Sequence, residues 1–216
     1  MTVGDQSLVS RETRDRIRGL AVPVATALGR LGLTPNALTV LGFAGMFLAA
    51  LSAGMQAWIA AGILILAFGI FDMFDGALAR ATNTATRFGA FLDSTLDRTG
   101  ENLVLAGVAY GCAQAQFPAG VLAAVGALAF GSIVTYARAR AESVGVHGEV
   151  GIAPRPERLL ILAVGLILGG WPGGVLGFGQ AWIGLALFLI AAASAVTVVQ
   201  RIRHVYSQLD EQTKEN

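Results

Sequence analysis

The chain has 216 residues, 55% of them hydrophobic and only 13% charged; an ordinary soluble domain carries about 25% charged residues, so composition excludes that class. Twenty-eight glycines in so apolar a chain point instead to closely packed membrane helices. A formal charge of +1 says nothing about nucleic acid, though no nucleic-acid partner is expected, and the single cysteine, Cys112, excludes a disulfide framework or a cysteine metal site.

The N-terminal stretch MTVGDQSLVSRETRDRIRGL has no apolar core ending in a cleavage motif, so no signal peptide is expected. Between Arg11 and Gly32, the apolar Ile17, Leu20, Val24, Leu28 and Leu31 recur at three- and four-residue steps opposite charged residues. That pattern predicts an amphipathic helix lying in the membrane interface; a helix packed on the cytoplasmic face is the alternative. LTPNALTV follows, with Pro35 suited to the first turn of the next helix and Thr34 to its cap.

A bilayer core of about 30 Å needs about 20 apolar residues per helix. Six segments qualify: Ala37–Gln56, Ala57–Arg80, Phe88–Ala113, Pro118–Arg140, Glu157–Trp171 and Ala181–Arg203. The links Gln114–Phe117 and Gly170–Gln180 are uncharged and rich in helix breakers. Basic residues fall before the first span, between spans two and three, between spans four and five, and after the sixth; the other three links carry none. Under the positive-inside rule this fixes an even number of spans with both termini in the cytoplasm. The expected fold is therefore an all-α integral membrane protein of six transmembrane helices plus the N-terminal amphipathic helix. Residues 1–36 form the cytoplasmic segment, 37–206 the membrane domain, and 207–216 a polar tail expected to be disordered.

Four aspartates interrupt the apolar runs. Asp72 and Asp75, at i and i+3, share a face of span two near its cytoplasmic end; Asp93 and Asp97, at i and i+4, share a face of span three with Gly89 one turn earlier. Spans two and three are expected to be antiparallel neighbours, which brings the four carboxylates together. Each would cost several kcal/mol if charged and unpaired in lipid. Arg80 and Arg98 cannot neutralise four acids, which weighs against a plain salt-bridge network. One or two hard dications resolve the repulsion, Mg²⁺ being the usual choice where phosphates complete the shell. Acids lining a cation or proton pathway are the competing reading, but all four lie near one face and no polar trail leads to the other.

The run D72-M-F-D75-G76-A-L-A79-R80, eight residues, then G89-A-F-L-D93-S-T-L-D97 matches without a gap the pattern D-x2-D-G-x2-A-R-x8-G-x3-D-x3-D. In this it resembles the CDP-alcohol phosphatidyltransferases, as do the six-span topology and the amphipathic N-terminal helix. The resemblance implies that the hydroxyl of an acceptor alcohol attacks the lipid-side phosphorus of CDP-diacylglycerol and that CMP leaves. It implies Asp72, Asp75, Asp93 and Asp97 as ligands of Mg²⁺, two ions in all with Mn²⁺ as a substitute, and Asp97 also as general base. Two such ions about 3.5–4 Å apart clamp attacking and leaving oxygens. It further implies that Thr34, Pro35, Asn36 and Ala37 meet the nucleotide head. Asp72, Gly76, Ala79, Arg80, Thr86 and Gly89 would then bind the rest of the CDP-lipid. Read alone, Thr34 and Pro35 start a helix and Thr86 is a loop residue. A homodimer is implied by the same resemblance.

Acceptor choice is expected from the arginines of TYARARAESVGVHGEVGIAPRPERLL and from Arg201. Arg138 and Arg140 end span four, and Arg155 and Arg158 open span five. Such guanidiniums suit a doubly charged phosphate; ordinary positive-inside flanking or contact with anionic headgroups is the plainer account. ARAE followed by RPERL, together with RFGAFLDSTLDR, is similar to the actinobacterial branch of the family whose acceptor is inositol phosphate. The resemblance implies inositol 3-phosphate as acceptor, bound by these five arginines. Phosphatidylglycerophosphate synthesis from glycerol 3-phosphate is the alternative within the family, and a cation or proton transporter the alternative outside it. The expected location is the plasma membrane, with the active site at its cytoplasmic face.

Overall fold

The computed structural model describes residues 27, 29, 32–69, 78–79, 84–146, 148, 150–152 and 154–215. Among them the secondary structure is helical throughout. Helix α1 spans Pro35–Gly54, α2 Trp58–Phe68, α3 Arg87–Gln114, α4 Pro118–Ser143, α5 Arg155–Gly170 and α6 Gly179–Glu215, with a 3₁₀ turn at Val175–Gly177. The starts follow from local chemistry. Thr34 Oγ1 accepts from Ala37 N at 3.2 Å and Thr86 Oγ1 from Gly89 N at 2.9 Å, so both threonines cap helices. Prolines occupy the first turns of α1, α4 and α5, where a missing N–H costs nothing. After α1 and α3 the chain turns within three residues through left-handed Gln56 and Gln116.

Helices α1, α4 and α6 are each long and apolar enough to cross a membrane. Helix α2 is apolar but shorter in its described part, α5 has 16 residues, and α3 carries the charged residues considered below. The polar residues from Ser207 continue α6 instead of forming a disordered tail. Ser207 Oγ donates to Arg203 O, and Lys214 pairs with Asp210 one turn earlier at 2.6 Å. The expected amphipathic helix from Arg11 lies almost wholly outside the described residues; Ala27 and Gly29 are helical.

Each helix packs chiefly on two others, closing a ring in the order α1, α3, α4, α6, α5, α2. The described part of α2 therefore lies between α1 and α5; the end of span two that carries Asp72 and Asp75, and with it the expected meeting with span three, lies outside the described residues. Small residues set these contacts. A Cβ on Gly107 would fall 2.2 Å from Ala50 O, and one on Gly111 2.2 Å from Ala53 O, so α3 meets α1 backbone to backbone. Likewise a Cβ on Gly62 would fall 2.8 Å from Ala163 O, seating α2 on α5. The ring's core is made of small and branched side chains such as Ala49, Ala53, Val104, Val108, Ala127, Leu166 and Leu187.

Candidate active site

The opening turns of α1 and α3 stand side by side. Asn36 in α1 approaches Gly89 in α3 so closely that a Cβ on Gly89 would lie 3.1 Å from Asn36 Oδ1 and 3.0 Å from Thr86 Oγ1. The LTPNA stretch and the glycine of the aspartate pattern, 53 positions apart in the chain, thus form one cradle, floored by a residue with no side chain. Thr86, which reads as a loop residue, is the N-cap of α3 and presents its hydroxyl to this cradle. Ala79 is helical and half-buried, and its carbonyl accepts from Thr84 N at 3.0 Å. Asp72, Asp75, Gly76 and Arg80 lie outside the described residues.

From this mouth the α3 stripe runs inward through Asp93, Asp97 and Glu101, one turn apart each. Asp93 is half-buried, with its Oδ1 shielded from solvent. Asp97 Oδ2 accepts from Arg155 Nη1 at 2.6 Å. Glu101, 5% exposed, takes both edges of the Arg158 fork: Nε donates to Oε1 at 2.8 Å and Nη2 to Oε2 at 3.0 Å. Arg98 Nη1 reaches the same Oε2 at 3.3 Å, and Arg155 Nε lies 4.0 Å from it. Because α3 and α5 are not adjacent in the ring, the ion pairs of Arg155 and Arg158 with α3 cross its middle. Gly131 of α4 lies beside this pair; a Cβ there would be in ordinary contact, 3.9 Å from Glu101 Oε1 and 4.0 Å from Arg158 Nε.

The five sequence-predicted arginines separate into three settings. Arg155 and Arg158 are in the interior, each engaged by a carboxylate of α3. Arg201 of α6 donates from Nε to Val150 O at 2.8 Å and from Nη1 to Val134 O, tying the α4–α5 link to the end of the ring. Arg138 and Arg140 are exposed at the end of α4, Arg138 paired with Glu142 at 2.8 Å. Sequence reasoning missed Glu101. Its signal was the continuation of the aspartate stripe by one more turn beyond Asp97.

Among the described residues no three carboxylate, imidazole or thiol groups come together as a metal site, since two of the four aspartates lie outside them. What is described fits a hard dication. Asp93 and Asp97 stand one turn apart on one face of α3 and offer only carboxylate oxygen, the donor chemistry such an ion takes.

Residues 32–199 match the CDP-alcohol phosphatidyltransferase family. The phosphatidylinositol phosphate synthase of Mycobacteroides abscessus is 39% identical over 206 residues, covering 92% of this chain and 87% of that protein. The crystal structure of Mycobacterium tuberculosis phosphatidylinositol phosphate synthase with CDP-DAG bound superposes with a TM-score of 0.78 at 34% identity, over 86% of this chain and 93% of that one. A second structure of that enzyme, in complex with manganese and citrate, superposes equally well at 35% identity, over 86% and 88% of the two chains. The chain belongs to the CDP-alcohol phosphatidyltransferase family and is a phosphotransferase of phospholipid biosynthesis.

Proposed function

We propose that this enzyme transfers the phosphatidyl group of CDP-diacylglycerol to inositol 3-phosphate, releasing CMP and forming phosphatidylinositol phosphate. The observation that carries the proposal is the arrangement along α3. Asp93 and Asp97 face a ring interior that also holds Arg155 and Arg158, with the Asn36–Gly89 cradle at its mouth. Similarity along nearly the whole chain to enzymes named for that product supports the choice of acceptor.

In this reading Asp72, Asp75, Asp93 and Asp97 hold two divalent ions, Mg²⁺ or Mn²⁺. When bound, such ions neutralise the diphosphate and stabilise the oxygen on which charge develops. The chain's own groups do the rest. Thr34, Pro35, Asn36, Ala37, Ala79, Thr86 and Gly89 receive the nucleotide where no side chain fills the cradle, and Gly76 and Arg80 extend that site to the diphosphate. Asp97 accepts the proton of the attacking inositol hydroxyl as its oxygen bonds to the lipid-side phosphorus. The bond from that phosphorus to the bridging oxygen breaks, and CMP departs with the electron pair. Arg138, Arg140, Arg155, Arg158 and Arg201 hold the acceptor's phosphate, whose two charges the surplus of guanidinium balances. Positioning both substrates on one rigid ring supplies much of the rate.

The membrane disposition belongs to the same proposal. Six spans with both termini cytoplasmic put the opening turns of α1, α3 and α5 at the cytoplasmic face, where water-soluble acceptor meets lipid-borne diphosphate. The enzyme then works in the plasma membrane as a homodimer. CMP release by purified protein with Mg²⁺ and CDP-diacylglycerol tests the function, with inositol 3-phosphate, free inositol, glycerol 3-phosphate and serine compared as acceptors. Release is expected with inositol 3-phosphate and not with free inositol. Equal rates with both would refute the role of the arginines, and release with glycerol 3-phosphate alone would refute the acceptor.

A further inference from the structure

Glu101 is a second anionic centre in the ring, deeper than the aspartates and outside their pattern. It is 5% exposed and Arg158 is 3% exposed, so both charges have left water. Such burial is tolerated only with near-ideal pairing, and the two-point fork at 2.8 and 3.0 Å is that geometry. One carboxylate here serves three guanidiniums, Arg158 at both edges, Arg98 at 3.3 Å and Arg155 at 4.0 Å. Arg155 in turn donates to Asp97 at 2.6 Å. Glu101 is thus the shared anchor of two arginines that come from α5 to meet α3. Gly131 of α4 packs beside that anchor.

A guanidinium has five N–H donors in a fixed plane. Two of Arg158's donors are spent on Glu101, which fixes the orientation of that plane and hence the direction of the remaining three. Removing the Glu101 carboxylate takes away the two-point bond that fixes this plane and the charge 4.0 Å from Arg155 Nε. We propose that Glu101 is a positioning residue for the acceptor's phosphate. Its buried carboxylate orients the Arg158 fork and holds Arg155 beside the base, acting on the acceptor through these two arginines and not on the CDP-lipid. This inference rests on the function proposed above.

The test compares wild type with Glu101→Gln, which keeps shape but loses charge, and Glu101→Asp, which keeps charge but shortens reach. KM is measured separately for inositol 3-phosphate and CDP-diacylglycerol, and inositol 3-phosphate binding is measured calorimetrically without CDP-lipid. The thermal midpoint in detergent monitors folding. Glu101→Gln is expected to raise the acceptor KM and Kd about 10–100-fold, the usual effect of losing an orienting partner, with the CDP-lipid KM within about twofold. Glu101→Asp is expected to shift the same two quantities in the same direction by less. If Glu101→Gln does not fold, Glu101→Asp decides alone. Unchanged acceptor KM and Kd in a folded variant would overturn the inference, as would both KM values rising together. Wild-type protein that binds inositol 3-phosphate but releases no CMP would overturn the proposed function instead, while a loss of that binding in Glu101→Gln would still support the positioning role.

Discussion

Replacing Arg158 by Met is the perturbation that most strongly loads the interior. The side chain is 3% exposed and bonded at two points, so its loss strips Glu101 of its principal counter-charge within the ring. Breaking a buried pair from one side costs about 3–5 kcal/mol. Arg98 at 3.3 Å and Arg155 at 4.0 Å remain to compensate in part, which places the expected loss near the lower limit, about 3 kcal/mol. For a chain of this length that corresponds to a drop of about 6–12 °C in thermal midpoint. Glu101→Gln should cost a similar amount, because it leaves Arg158 charged and buried. The double variant Glu101→Gln/Arg158→Met removes both charges, so its loss should resemble one single variant and not the sum of two. Thermal unfolding of the four proteins in one detergent closes the cycle. Losses that add to within about 0.5 kcal/mol would show that the two groups do not interact, and would refute the reasoning.

Three further outcomes follow from the same geometry. Asp97→Asn should abolish CMP release while CDP-diacylglycerol still binds, measured by lipid retention on purified protein; normal turnover would remove Asp97 as base. Gly107→Ala should destabilise the α1–α3 contact by about 1–3 kcal/mol, because its methyl would meet Ala50 O at 2.2 Å and the helices must part; an unchanged thermal midpoint would contradict that close approach. Arg138→Ala should change stability by less than about 0.5 kcal/mol, since its pair with Glu142 is 45% and 52% exposed; a loss several times larger would show that the pair is structural.

Much of the architecture was legible because the chain marks its own helix starts. Thr34–Pro35, Thr86, Pro118 and Pro156 are caps and first-turn residues, and the helices they begin start within two residues of the expected spans. The order of helices around the ring was not legible. A short link between spans two and three suggests that they pack together, yet the described part of α2 is drawn to α5 by Gly62 against Ala163. Close backbone approaches of this kind depend on which glycine faces which carbonyl, and hydropathy does not encode that. The helical end of α6 was also missed, because the polarity that suggests a free tail equally suits a helix leaving the membrane with i, i+4 pairs such as Asp210–Lys214.

In the site, spacing alone placed Asp93 and Asp97 on one face, and the family resemblance assigned both Asn36 and Gly89 to the CDP-lipid. Pairing across the ring was out of reach. Arg155 and Arg158 read as acceptor-phosphate residues or, more plainly, as flanking charges of a span, and only the fold shows them turned onto Asp97 and Glu101. Glu101 stood outside the recognised pattern and was not singled out. Its burial is a tertiary fact, set by its place inside the ring opposite Arg158 of α5.

The central claim is that this interior joins a phosphatidyl group to a phosphorylated inositol. Its most direct test is the mass of the lipid formed by purified protein in vesicles containing CDP-diacylglycerol and Mg²⁺, given equal amounts of inositol 3-phosphate and glycerol 3-phosphate. The account predicts phosphatidylinositol phosphate and CMP in equal yield, both abolished by a chelator and restored by Mg²⁺. Phosphatidylglycerophosphate as the product, or CMP accompanied only by phosphatidic acid, would contradict it.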